Sequence, residues 1–182
     1  RLYTSFQHIY EKSSYTAVER KPDYVIVEDS HSGYQFFKEI FEGQAIPCIS
    51  AHGKSNICAE IEKTPVDSTI LIIADGAAFG PEMEKTLAQR RKRNIVLFLP
   101  ESVEWMILSA GLLSDSDVNR VLENPADSIE SSRYFSWERF FTSLLTEKTK
   151  DTYLQYNKRE LNPAYLQDKE KNAILKLLPE HQ

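Results

Sequence analysis

Ser68–Asp75 (STILIIAD) sets Ile70, Leu71, Ile72 and Ile73 in succession. A strand with one face in water alternates apolar and polar residues, whereas one without alternation is covered on both faces, as in a parallel sheet layered with helices. Three weaker runs have the same strand-sized length: Asp23–Glu28 (DYVIVE), Ala45–Ser50 and Asn94–Leu99 (NIVLFL). Between them lie helical patterns. Ser30–Phe41 carries Tyr34, Phe37, Ile40 and Phe41 on one stripe and stops at Gly43. Asn56–Lys63 stops before Pro65, and Pro81 opens a helix running to about Arg93. Strands alternating with helices of this length imply βαβ units with right-handed crossovers.

After Pro100 the pattern is helical only, over Ser102–Ala110, Asp115–Glu123, Ser136–Lys148 and Pro163–Leu178. Trp137, Phe140, Phe141, Leu144 and Leu145 mark a core-facing or partner-facing stripe at i, i+3, i+4, i+7 and i+8. The expected fold class is therefore α/β: a four-stranded, mainly parallel sheet with helices on both faces and a helical C-terminal extension. It divides into an N-terminal helix in 1–21 (Leu2, Phe6, Ile9 and Tyr10 at helical spacing), a core in 22–113 and the extension in 114–182.

Composition narrows the classes. Of 182 residues 41% are hydrophobic, enough for a real core, so disorder is excluded as the overall state. No apolar run has the 18–20 residues, roughly, of a membrane span, so no membrane partner is expected. Two cysteines, Cys48 and Cys58, cannot build a disulfide framework, and the reducing cytoplasm is the expected location. The 27 acidic against 22 basic residues give a net charge of −5, so nucleic-acid binding would need a local basic patch. Because the chain starts at Arg1 with a helical pattern under way, a fragment of a longer protein is expected.

Open parallel sheets gather ligands at the carboxyl ends of their strands. Three of the four ends here carry acids: Glu28 and Asp29, then Asp75, then Glu101 and Glu104 beyond Pro100. Glu101 and Glu104 are three apart and share a helix face. Carboxylates converging on one edge repel unless a hard cation lies between them, and Mg²⁺ prefers oxygen ligands; alternatively, each acid caps the next helix. The remaining end reads Gly53-Lys54-Ser55-Asn56 before a helix, a pattern able to hold phosphate through backbone N–H groups and the lysine ammonium. Arg90, Arg91 and Arg93, with Lys85 and Lys92, either face water at a helix C-terminus or hold nucleic-acid phosphates beside the acidic edge. His31 and His52 fall in strand-end loops of the same edge.

Two partial patterns compete. Gly53-Lys54-Ser55 resembles the end of a Walker A loop, but Cys48 stands where its first glycine belongs. Val25–Ser30 resembles the acidic pair of a response-regulator receiver, with Asp75 at the phosphorylated position, but no later strand ends in Lys-Pro.

The whole order, strand–Glu28, strand–Gly53-Lys54-Ser55-Asn56, strand–Asp75 and strand–Pro100-x-x-x-Glu104, resembles the Toprim domain, closest to the type found in OLD-family nucleases and related bacterial defence proteins. Val25–Phe37 (VIVEDSHSGYQFF) and Gly53–Asn56 carry the resemblance, which spans about residues 22–113. It implies a Toprim-like core and Mg²⁺-dependent (or Mn²⁺-dependent) cleavage of DNA phosphodiesters. Glu28 would be the general acid or base and Asp75 the metal ligand, supported by Asp29, Glu101 and Glu104. Gly53, Lys54 and Ser55 would hold phosphate, and an ATPase segment or partner protein would accompany the domain. The sequence departs from the family at Ala77, where a typical Toprim strand has the second acid of Asp-x-Asp. The alternative expectation is a catalytically degenerate Toprim-like module used for association.

Overall fold

The computed structural model describes residues 21–76, 79–125 and 136–178. The expected helix at 2–12 and the position of Ala77 lie outside the described residues. Four strands form one sheet: β1 (Tyr24–Val27), β2 (Cys48–Ser50), β3 (Thr69–Ile73) and β4 (Asn94–Phe98). All pairings are parallel, in the order β2-β1-β3-β4. Val27 is level with Ser50 on one side and Ile73 on the other, and Ile73 is level with Phe98. The four chains thus leave the sheet along one edge. Every residue of β3 is buried, as its lack of alternation requires.

Seven α-helices are described: α1 (Ser32–Glu42), α2 (Ile57–Lys63), α3 (Gly80–Gln89), α4 (Val103–Ser109), α5 (Ser116–Glu123), α6 (Trp137–Thr149) and α7 (Asp168–Leu175). β1 is followed by a step to one side and β2 by a step back past it, so right-handed crossovers put α1 on one face and α2 and α3 on the other. The two cores confirm this. Val25, Val27, Leu71, Ile73 and Val96 pack with Phe36, Phe37, Ile40 and Phe41 of α1. Ile26, Ile70, Ile72, Ile95 and Leu97 pack with Ile57 and Ile61 of α2, with Met83 of α3 beside them.

α4 and the extension cover the α1 face. Met106 and Ile107 of α4, Val118 and Val121 of α5, and Phe140, Phe141 and Leu145 of α6 join that core. Each such buried apolar side chain contributes about 1.5–3 kcal/mol relative to exposure. Side-chain caps start three of these helices: Ser102 accepts from Trp105 N, Asp115 from Asp117 N and Val118 N, and Ser136 from Arg139 N.

Several boundaries differ from the sequence reading: β2 begins at Cys48 and not Ala45, and α3 ends at Gln89 and not near Arg93. The single helix expected over Pro163–Leu178 is a 3₁₀ turn (Pro163–Leu166) and then α7, separated by Gln167 with extended backbone (φ −65°, ψ 148°). Asn162 caps the turn, and Tyr165 is buried with its hydroxyl donating to Leu154 O at 2.6 Å. That anchor fixes the turn's direction, so α7 starts afresh. Likewise Lys54–Asn56 is a 3₁₀ turn and α2 begins only at Ile57. Gly43 ends α1 in right-handed conformation, and Ala45 (φ 60°) makes the left-handed turn instead.

Candidate functional site

The strand order reverses direction between β1 and β3, because the chain leaves β1 toward β2 and returns to pair β3 on the other side. At such a switch point the loops diverge and leave a crevice at the carboxyl ends. Glu28 and Asp75 flank it. Glu28 N donates to Ile73 O at 2.9 Å, which keeps β1 and β3 paired to their last residues. The Glu28 side chain then turns to its neighbour, and its Oε2 accepts the Asp75 N–H at 3.0 Å. Two carboxylates from different strands therefore share one edge.

The loop after Asp75 fits this approach. Gly76 N donates to Pro100 O at 2.6 Å, and a Cβ on Gly76 would lie 2.6 Å from Leu99 O. Only glycine lets the exits of β3 and β4 come so close.

Both acids are held above their ordinary range. For Glu28 burial is the main cause, opposed by the Asp75 N–H and by the charge of Lys54. Asp75 is pushed well above, first by burial and then by the charges of Glu28, Glu138 and Glu104, with Lys158 alone opposing. Two like charges in a desolvated crevice favour retention of a proton, here at Asp75.

Asp75's other neighbours come from α4 and from the extension. Glu104, on α4, is 3% exposed. Its Oε1 accepts from Thr142 Oγ1 (2.8 Å), Tyr156 OH (2.8 Å) and Lys158 Nζ (3.4 Å). Lys158 also pairs with Glu138 in the first turn of α6. Burial pulls the Lys158 ammonium down, but the Glu104 charge and the bond to Glu138 outweigh it and raise it. The Tyr156 proton goes to Glu104, so the 3.2 Å contact with Ser32 is donated by Ser32 Oγ. Glu138, Thr142, Tyr156 and Lys158 had no signal in the sequence: Tyr156 and Lys158 lie 52 and 54 residues beyond Glu104, in a segment without periodicity.

The other expected site residues are placed differently. Asp29 serves the start of α1: Oδ2 accepts from Gly33 N (3.0 Å) and Tyr34 N (3.3 Å), and Oδ1 from Ser30 N (2.7 Å), with His31 Nδ1 at 3.3 Å. That is capping, which satisfies orphan helix donors. Glu101 is exposed at the exit of β4, with burial raising its carboxyl. Gly53 takes φ 116°, a conformation open to glycine, but its N–H donates to Glu28 O at 2.9 Å. The phosphate cradle expected there thus loses that N–H. Lys54 remains near, its charge acting on Glu28, and Ser55 is exposed.

The basic run is at the opposite end of the sheet, which corrects its expected place beside the acids. α3 runs back from the carboxyl edge, so Arg90–Arg93 precede β4, a five-residue strand about 16 Å long. Arg90 Nε donates to Ile95 O (3.1 Å) and Arg93 to Glu62 O (3.3 Å) and Thr64 O (3.1 Å). Arg91 and Lys92 are exposed.

Glu28 and Asp75 offer hard oxygen donors in a desolvated crevice, and Mg²⁺ is commonly held by one or two carboxylates, several waters and substrate phosphate. The pair has the donor chemistry that such an ion takes. Among the described residues no group of three or more His, Cys, Asp or Glu side chains is arranged to hold a metal, so protein ligation would stop at this pair. No helix among the described residues is long and apolar enough to cross a membrane. Cys48 and Cys58 are free thiols, and burial lifts Cys48 to about 12, which removes it as a nucleophile. Comparison with protein-family models, curated proteins and solved structures gives no match to this chain.

Proposed function

We propose that the carboxyl edge of the sheet is a divalent-cation-dependent phosphodiesterase site acting on DNA. The observation that carries the reading is the contact of the Glu28 carboxylate with the Asp75 backbone at the β1/β3 switch point. Burial and mutual repulsion leave that pair short of positive charge, which a dication and a phosphate together would restore. DNA as the substrate, and a place within a larger defence protein, rest on the Toprim resemblance of Val25–Phe37 and Gly53–Asn56.

Bound Mg²⁺ or Mn²⁺ would neutralise charge developing on the phosphate and lower the pKa of a coordinated water. The chain's own residues do the rest. Asp75, once deprotonated, would hold the ion, with the Glu28 carboxyl beside it. The Glu28 carboxyl, raised by burial, would move a proton to or from the reacting oxygens. Lys158, with its side chain 41% exposed beside Asp75, supplies fixed positive charge toward a phosphate oxygen, and Lys54 does so from the β2 side.

A second reading, a binding module without turnover, is favoured by Ala77 in place of an acid and by the commitment of Glu104 to three donors. Manganese titration with plasmid nicking separates them. A phosphodiesterase binds Mn²⁺ at millimolar levels or tighter and nicks plasmid, and Glu28→Gln stops nicking while keeping the fold. Intact plasmid and no Mn²⁺ binding by the wild-type chain would leave the module.

A further inference from the structure

Glu104 is the most deeply placed acid at this edge, yet its surroundings are those of an anchor. We propose that Glu104 is a positioning residue and not a cation ligand: it fixes the Lys158 ammonium against the acidic edge and ties residues 156–161 down over the start of α1. For what the lysine faces, this rests on the phosphodiesterase reading of the edge; the anchoring itself stands on geometry alone.

Two sets of contacts carry it. Three donors already converge on one Glu104 oxygen, all of them from beyond residue 136. A divalent ion at that oxygen would sit against the Lys158 ammonium, which is itself only 3.4 Å away. Independently, the segment following α6 is stitched to α1. Lys158 O accepts from Ser32 N (3.1 Å), Arg159 O from Gln35 Nε2 (3.2 Å), and Gln35 Oε1 from Leu161 N (2.8 Å). Ser32 also meets Tyr156 (3.2 Å), whose hydroxyl ends on Glu104. Glu104 and α1 therefore clamp the same six-residue stretch (156–161) from two sides, and that stretch bears the lysine. α1 begins four residues after Glu28, so the clamp also holds the loop that carries the acid.

Buried carboxylates need compensation by hydrogen bonds and opposite charge. Glu104 obtains it from residues of a distant segment, so whatever orders Glu104 orders the lysine. Glu138, with its side chain 44% exposed, holds Lys158 from the solvent side and cannot by itself fix its depth.

The test reads the lysine directly. Ammonium groups give NMR signals when ion pairing slows their exchange with water, and Lys158→Met identifies the Lys158 signal. We expect a slowly exchanging Lys158 signal in the wild type. In Glu104→Gln, with sheet amides unchanged, its exchange should quicken at least tenfold or the signal should vanish. Should Glu104→Gln fail to fold, Tyr156→Phe keeps every charge and should quicken amide exchange across residues 156–161 at least threefold. A Lys158 signal unmoved by Glu104→Gln, or a wild-type signal as fast as that of exposed Lys92, overturns the proposal. Where the wild type binds Mn²⁺, Glu104→Gln should keep its Kd within threefold; a tenfold loss with Lys158 unmoved makes Glu104 a ligand. A wild type that binds no Mn²⁺ ends the phosphodiesterase reading, while the ammonium and amide results still decide the anchor.

Discussion

The two ends of the parallel sheet treat charge in opposite ways. At the amino end, charged groups are used up in short local bonds. Asp23 accepts from Thr69 N at 2.7 Å, Arg90 reaches Ile95 O, and Arg93 takes Glu62 O and Thr64 O. At the carboxyl end, Glu28 and Asp75 are pressed together with their acidities weakened, and among the described residues balancing charge arrives from the distant Lys158 and from Lys54. A group consumed by backbone carbonyls stabilises the fold. Groups left electrostatically strained at a switch point are those with free energy to gain from a ligand.

The contrast is broken most severely at Glu28. Glu28→Gln should lower Mn²⁺-dependent hydrolysis of plasmid or of bis(p-nitrophenyl) phosphate by about 10²–10⁴-fold, the usual scale for an acid–base group. Arg93→Ala, at the other end, should leave the rate unchanged. Equal losses in both variants would abolish the distinction between the ends.

Acidity sharpens it next. Since burial and the neighbouring charges favour a proton on Asp75 that a metal must displace, Mn²⁺ affinity should rise with pH by up to about tenfold per unit over the range in which Asp75 is protonated, flattening once it ionises unaided. Calorimetric titration across that range checks this, and affinity independent of pH would contradict the raised Asp75.

Stability should then respond in opposite directions at the two ends. Arg93→Ala frees two carbonyl acceptors and should cost about 1–2 kcal/mol in urea unfolding. Asp75→Asn, measured in chelator, should instead stabilise the fold at pH 7–8, since burial disfavours the Asp75 charge. An acid with a raised folded pKa keeps its full stability below the unfolded value of 3.8 and loses it as pH rises through the folded value. The advantage of Asn should therefore vanish on acidification toward pH 3.8. The smallest effect belongs to exposed Arg91: Arg91→Ala should change stability by less than about 0.5 kcal/mol.

Much of the frame was legible because its signals are local. Continuous aliphatic runs marked β3 and β4, and apolar spacing marked α1 and α6, since burial on two faces or on one stripe leaves its period in the sequence. Glu28 and Asp75 were legible as strand ends for the same reason. Asp29 was not separable from Glu28 by residue type, because adjacent acids at a strand end look alike until one of them meets the first N–H groups of α1. The basic run follows the end of α3, and its distance from the acids depends on the direction in which α3 crosses the sheet.

The order of strands and helices, the covering of both sheet faces and the presence of acids at strand ends were decided by the sequence alone, because each depends on neighbours within a few residues. The tertiary structure decided which acids meet, which are spent on caps, and that Glu138, Tyr156 and Lys158 join the edge. Burial and charge coupling act through space, and a lysine 83 residues after Asp75 carries no trace in its own neighbourhood of the carboxylate it will face.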